Sequence, residues 1–312
     1  MARYLLVRVG SLLVSVVAAT LVVFIIMHAI PGGPFDAEKA PLTADQLAVI
    51  NRFYGLDQPL PVQYLKFLWG AFHLQFGYSY SDPGETIAQL LARVWPISAF
   101  AGGMGVLLGV TAGILLGVAA ALNRNTWIDY VATFIGILTI TVPPFVVSLG
   151  LILVFGVLLR WFPVSGWNGP ATWVLPILAY STIPLGPVLR YTRSSMLEMA
   201  GRPYVTVARA KGLSARRVVI RHIFRNALRP IITITLPILP GVMTGSIFVE
   251  FFFSVPGLGQ YFVTSIFKRD YPMELALIFI ITILYSVIFV ITDVLYVLLD
   301  PRVRLAEGAA GA

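Results

Sequence analysis

Six stretches of this chain lie near Val9–Ile30, Ile97–Leu122, Tyr130–Leu159, Trp173–Leu189, Ile231–Phe253 and Leu275–Leu299. Between them they hold only two Asp, Glu, Lys or Arg residues, Glu250 and Asp293. A helix needs about 20 mostly apolar residues, with a range of roughly 17–25, to cross the hydrocarbon core of a bilayer. Backbone polar groups find no water there, so a spanning segment must satisfy them internally. Runs this long and this apolar predict an all-α integral membrane protein with six transmembrane helices. Charge supports this: 12% of the 312 residues are charged, against about 25% in an ordinary soluble domain, too few to clothe a water-facing surface. The third run exceeds the needed length and contains Pro143-Pro144, which predicts a kink or a partial exit from the hydrocarbon. The fourth is short and holds Pro176 and Pro184, which makes it the run least suited to a continuous span.

The loops set the orientation. Of the 22 Lys and Arg, 15 fall on one side of the six runs (Arg3, Arg8, Arg124, ten from Arg190 to Arg229, Arg302, Arg304) and 7 on the other. Cytoplasmic loops carry the basic excess, so the first side is cytoplasmic and both termini are inside. Arg3 and Arg8 followed by an apolar stretch could be a signal peptide. The stretch is longer than the usual apolar region of such peptides and has no small-x-small cleavage pattern before Pro31, so it reads as a retained first span. The organisation is then a first span with an extracytoplasmic loop (1–93), a membrane domain (94–300) with a cytoplasmic loop at 190–230, and a tail (301–312). Within the extracytoplasmic part, TADQLAVINRFYGL and VQYLKFLWGAFHLQFG are amphipathic and suggest short helices, either lying at the membrane interface or packed as a cap on the bundle.

Several chemistries are excluded. No GxxxxGK[ST] phosphate loop occurs, cysteine is absent, and His28, His73 and His222 are too far apart for a metal-ligand motif. Ser, His and Asp are present in no pattern that signals a catalytic triad. The chain reads as a non-enzyme with no metal and no cofactor of its own. Asp293 sits about two turns from the end of its run, where an Arg of the cytoplasmic loop could pair with it; a structural ion pair is the favoured role. Glu250 falls near the outer end of its run and reads as interfacial, and Asp129 lies at a cytoplasmic boundary. Without a chain of acids through the bundle, an ion-coupled secondary carrier has little support.

The basic loop divides at Gly212. Pro203 suits the first position of a helix and Gly212 the left-handed residue beyond its end, which predicts a short helix Pro203–Lys211. Ser214 is placed to cap a second helix, with Leu213 stapled onto Val218. In that helix Ile220, Ile223, Phe224, Ala227, Leu228 and Ile231 share one face, and Arg217, Arg221, Arg225 and Arg229 recur on another. A loop solvated against anionic headgroups and a docking element for a cytoplasmic protein both fit. Nucleic acid does not, because the loop is short, tethered at both ends and lacks stacking aromatics. The small and apolar residues of the short helix, Val205, Val207, Ala208 and Ala210, speak for docking.

At ARAKGL (Ala208–Leu213), followed by RHIFRNALRP, the sequence resembles the cytoplasmic signature of ABC-importer permeases, in particular the B-type permease of oligopeptide and dipeptide importers. The general importer pattern places Glu-Ala-Ala six residues before the glycine. Here Thr206, Val207 and Ala208 occupy those positions, and RNALRP replaces the usual Ile-x-Leu-Pro end, a form typical of the peptide branch. PGGPFD (Pro31–Asp36), YGLDQPLPVQYLKFL, SGWNG (Ser165–Gly169), FFFSVPGLGQ (Phe251–Gln260), RDYP (Arg269–Pro272) and DVLYVLLDPRVR (Asp293–Arg304) also match in order along nearly the whole chain. The resemblance implies a type I importer permease fold that pairs with a second homologous permease subunit. It implies two cytoplasmic ABC ATPase subunits carrying ATP and Mg, and an extracytoplasmic substrate-binding protein delivering a peptide, oligopeptide favoured over dipeptide. Pro203, Tyr204, Val205, Val207, Ala208, Arg209, Ala210, Lys211 and Gly212 would form the coupling helix on the ATPase. Nickel, glutathione or another small solute is the alternative cargo within the family, and the location is the bacterial cytoplasmic membrane.

Overall fold

The computed structural model describes residues 2–31, 35 and 43–299. PGGPFD and DVLYVLLDPRVR lie partly, and the tail 301–312 wholly, outside the described residues; so does the side chain of Asp293. Fourteen α-helices follow in order among them: α1 (Ala2–Ala29), α2 (Ala44–Tyr54), α3 (Leu60–Phe72), α4 (Ile87–Leu122), α5 (Trp127–Thr141), α6 (Pro144–Leu151), α7 (Pro170–Ala200), α8 (Pro203–Ala210), α9 (Ala215–Arg217), α10 (Arg225–Thr235), α11 (Ile238–Met243), α12 (Ile247–Phe253), α13 (Leu258–Lys268) and α14 (Tyr271–Leu299). π-helical stretches follow α6 (Ile152–Leu158) and α9 (Val218–Phe224). Among the described residues four helices are long and apolar enough to cross a membrane, and up to six crossings result if each of two bent pairs counts as one.

The central contact is α4 on α7. Gly105, Gly109, Gly113 and Gly117 recur every four residues on α4 and let the two backbones meet, as small residues do between membrane helices. A Cβ on Gly109 would lie 2.7 Å from Pro184 Cγ and press on the Ser181 carbonyl; one on Gly117 would lie 2.6 Å from Thr192 Cβ. Gly105 meets Tyr180 and Gly117 meets Thr192, so α4 and α7 run parallel and the chain must return between them. For Gly109→Ala the expected cost is about 1–3 kcal/mol of overpacking, read as a lowered unfolding midpoint of the purified protein in detergent; an unchanged midpoint would show that the helices can part without loss.

The return path runs through the third apolar run, which is not one kinked helix. It breaks at Val142-Pro143 into two helical pieces bent by 110°. Pro143 and Pro144 remove two N–H donors, and Pro144 begins α6 at a position where a missing donor costs nothing. The fourth run corrects the expectation the other way. Despite Pro176, Pro184 and Pro187 it lies inside one continuous 31-residue helix, α7. Close packing explains this: Pro176 and Pro184 are buried against neighbouring helices, which support the local gaps in the hydrogen-bond ladder. The fifth run bends by 49° between α10 and α11 and passes through α12.

α1 packs antiparallel to α14, with Arg8 over the Phe289 ring at one end and the Tyr271 hydroxyl donating to Met27 O (3.1 Å) at the other. The end of the bundle away from α8 carries a packed cap. Thr43 and Gln46 close a capping box on α2, and α3 lies beside α1 with the Tyr64 hydroxyl on Val17 O (2.8 Å) and Thr20 (3.0 Å). Asp270 ties the segment after α3 to the start of α14: it accepts from the Ser79 hydroxyl and from the N–H groups of Tyr80, Ser81 and Met273. Burial and the Asp270 charge together push the Tyr80 phenol well above its usual range. The cap helices pack on the bundle through Tyr64 and Ala71, which are buried, while Phe53, Leu65 and Trp69 stay exposed.

Candidate functional site

The short helix α8 forms as its sequence dictates. Pro203 occupies its first turn, and beyond the C-terminal Lys211 the chain reverses at Gly212, whose φ of +77° is the left-handed conformation that favours glycine. Its attachment decides which side chains can act. Val205 (1% exposed) and Ala208 (5%) turn inward and join Met196, Val218, Ile223, Ala227 and Ile231 in one apolar cluster, and Leu213 packs against it as the staple predicts. Val207 (53% exposed), Tyr204, Arg209, Ala210, Lys211 and Gly212 stand on the open side. The expectation that Val205 and Ala208 present an outward apolar surface is therefore corrected. An eight-residue helix has two sides, and joining it to the bundle consumes its most apolar one.

The basic helix differs from a regular α-helix in one respect. Its buried residues are Val218, Ile223, Ala227 and Ile231, spaced by five, four and four. The five-residue step is the π-helical stretch Val218–Phe224, whose wider turn shifts the register by one residue. Ile220, placed on the apolar face by a 3.6-residue period, is consequently 53% exposed. Arg217, Arg221, Arg225 and Arg229 are all exposed, as expected for the polar side. Ser214 is the capping residue, but its side chain makes no capping hydrogen bond.

Two polar links hold the bundle behind this surface. Asp129, at the start of α5, binds Arg193 of α7 through Arg193 Nε on Oδ1 (2.5 Å) and Nη2 on Oδ2 (2.7 Å), and it also accepts from Asn125 N–H (3.0 Å). This planar two-point pairing suits the guanidinium fork. Asp129 and Arg193 are each legible as charges near a span boundary, but their pairing across 64 positions is not.

The second link overturns an expectation. Glu250 is fully buried (0% exposed), not interfacial. It accepts from the Tyr180 hydroxyl of α7 (2.8 Å) and from Gly259 N–H (2.6 Å), and Tyr180 in turn accepts from Ser246 N–H (2.7 Å). Ser98 of α4 takes Leu258 N–H (2.8 Å) alongside. One carboxylate thus gathers α4, α7, α12 and the Val255–Gly259 turn. Gly257 leaves it room, for a Cβ there would lie 2.5 Å from Glu250 Oε2. The Gly-rich VPGLG turn beside a lone acid in an apolar run was the available signal. Among the described residues no three His, Cys, Asp or Glu side chains come together as a metal site would need.

The described residues thus form a helical bundle with a short helix packed at one end and a cap on the other. Residues 113–305 match the binding-protein-dependent transport system inner membrane component family, and residues 1–95 match the N-terminal part of such membrane components. The chain belongs to this family. It is 38% identical over 309 residues to the dipeptide transport system permease protein DppB of Bacillus subtilis (strain 168), covering 98% of this chain and 99% of that one. It is 37% identical over 283 residues to the oligopeptide transport system permease protein OppB of Salmonella typhimurium, covering 90% and 92%. A solved amino acid ABC transporter chain is similar at 18% identity over 69% of this chain and 94% of that one, with a TM-score of 0.47.

Proposed function

We propose that this chain is one permease subunit of an ATP-driven peptide importer of the bacterial cytoplasmic membrane. The observation that carries the reading is the build of α8: a short helix clamped to the bundle by Val205 and Ala208, with Tyr204, Val207, Arg209, Ala210 and Lys211 left on an open face. In this reading two cytoplasmic ATPases, holding ATP and Mg, grip that face, and a second homologous permease completes the pathway. The α8 end is cytoplasmic, as the placement of Lys and Arg supports. The cap of α2, α3 and the Asp270 junction then faces outward and receives an extracytoplasmic binding protein. Motion of the ATPases passes through Val205 and Ala208 into α7 and α10, because both helices contribute to the cluster in which those residues sit. The chain performs no chemistry itself. The likeness to permeases named for dipeptides and oligopeptides supports a peptide cargo of either length.

The test is reconstitution of the complete importer in vesicles with its binding protein. Peptide should accumulate only when ATP is supplied on the ATPase side, and all uptake should stop when the ATPases are omitted. Uptake driven by an ion gradient by this chain alone would overturn the proposal.

A further inference from the structure

A cavity of ≈ 600 Å³ lies between α5 and α7, lined by Thr133, Ile140, Arg190, Tyr191, Arg193 and Ser194 among others. Its size is that of a small-molecule site, roughly 300–1,000 Å³. The two guanidiniums in its wall are not equivalent. Arg193 is held and neutralised by Asp129. Arg190, one turn further into the bundle, makes no ion pair or hydrogen bond among the described residues and is exposed. Its stem crosses α5 near Gly136, where an added Cβ would lie 3.7 Å from Arg190 Cγ. Gly136 is the tenth residue of α5 and Arg190 stands ten residues before the end of α7. At 1.5 Å per residue both positions lie roughly 14–15 Å in from the α8 end. A guanidinium left without a carboxylate on the wall of a cavity is free to take an anion through its planar fork. On the same wall Ser194 donates to the Tyr191 carbonyl (3.1 Å) and Thr133 to Asp129 (3.5 Å), which leaves the Tyr191 hydroxyl to share an anion with Arg190.

We propose that Arg190 is an anion-contacting residue of the transport pathway, which receives a carboxylate of the passing substrate before release on the α8 side. The two guanidiniums with Asp129 carry one net positive charge, which matches one carboxylate. The inference rests on the importer reading above and adds a residue-level specificity to it. A phosphate of an anionic lipid headgroup offers the same chemistry, and the test separates the two.

The chain contains no cysteine, so Arg190→Cys introduces its sole thiol. In the reconstituted importer, with wild-type importer treated in parallel, the variant should take up a free-carboxylate peptide at least tenfold more slowly. Aminoethyl methanethiosulfonate, which restores a positive charge, should recover most of the rate, and the sulfonatoethyl reagent should not. These effects should persist in vesicles of purely zwitterionic lipid. A thiol that fails to react in the ATP-free state, or equal effects of both reagents, would overturn the assignment. Loss of the defect in zwitterionic vesicles would give the site to lipid phosphate instead. A wild-type importer that moves no peptide with ATP and binding protein would refute the importer reading, separately from Arg190.

Discussion

Glu250→Ala should leave little or no well-folded protein. The substitution removes the acceptor from the Tyr180 hydroxyl and from Gly259 N–H in a site without exposed surface. Each buried donor left without an acceptor costs roughly 1–3 kcal/mol, and an apolar void is added where the side chain stood. The loss falls on the joint between α4, α7 and the Val255–Gly259 turn, so the whole end of the bundle loosens. Glu250→Gln should be intermediate. Its amide oxygen can still take Gly259 N–H, but its NH₂ faces Tyr180, whose own proton then lacks an acceptor. Yield of monodisperse protein and the unfolding midpoint in detergent give the order wild type, Gln, Ala. An Ala variant as stable as wild type would show that the carboxylate does not hold this joint.

Ala208→Glu and Val207→Glu should separate attachment from docking on the same short helix. Ala208 is packed among Val205, Val218, Ile223 and Met196, so a glutamate there places a charge in apolar surroundings with no partner and forces α8 off the bundle. Stability and ATP-driven uptake should fall together. Val207 points away from the cluster, and a surface substitution of that kind changes stability by no more than about 0.5 kcal/mol. Its midpoint should stay put while uptake and stimulated ATPase activity drop. Normal uptake in the Val207 variant would mean that the open side of α8 does not meet the ATPase.

The existence of α8 is legible in the residues themselves, and its direction of burial is not. Pro203 and Gly212 punctuate the chain through their own backbone preferences, which are local. Whether Val205 or Val207 faces the bundle depends on how the preceding helix ends and where the following one returns. Both are valines in a short amphipathic stretch, so no pattern within it distinguishes them. The basic helix teaches the same point through geometry: a 3.6-residue period places Ile220 with Ile223, and the π-helical turn moves it outward.

Apolar runs, basic loops, proline breaks and the glycine reversal were set by the sequence alone, because each follows from the solvent or the backbone at one place in the chain. The all-helical membrane architecture, the existence of α8 and the break at Pro143 belong to that group. Only the tertiary structure decided that the proline-rich fourth run stays one helix, that the third bends by 110°, and that Asp129 meets Arg193. It alone buried Glu250 and left Arg190 facing a cavity. The physical reason is common to all of these: in a bundle of apolar helices, the position of a polar or bent segment is chosen by the neighbours able to satisfy it, and those neighbours are distant in the chain.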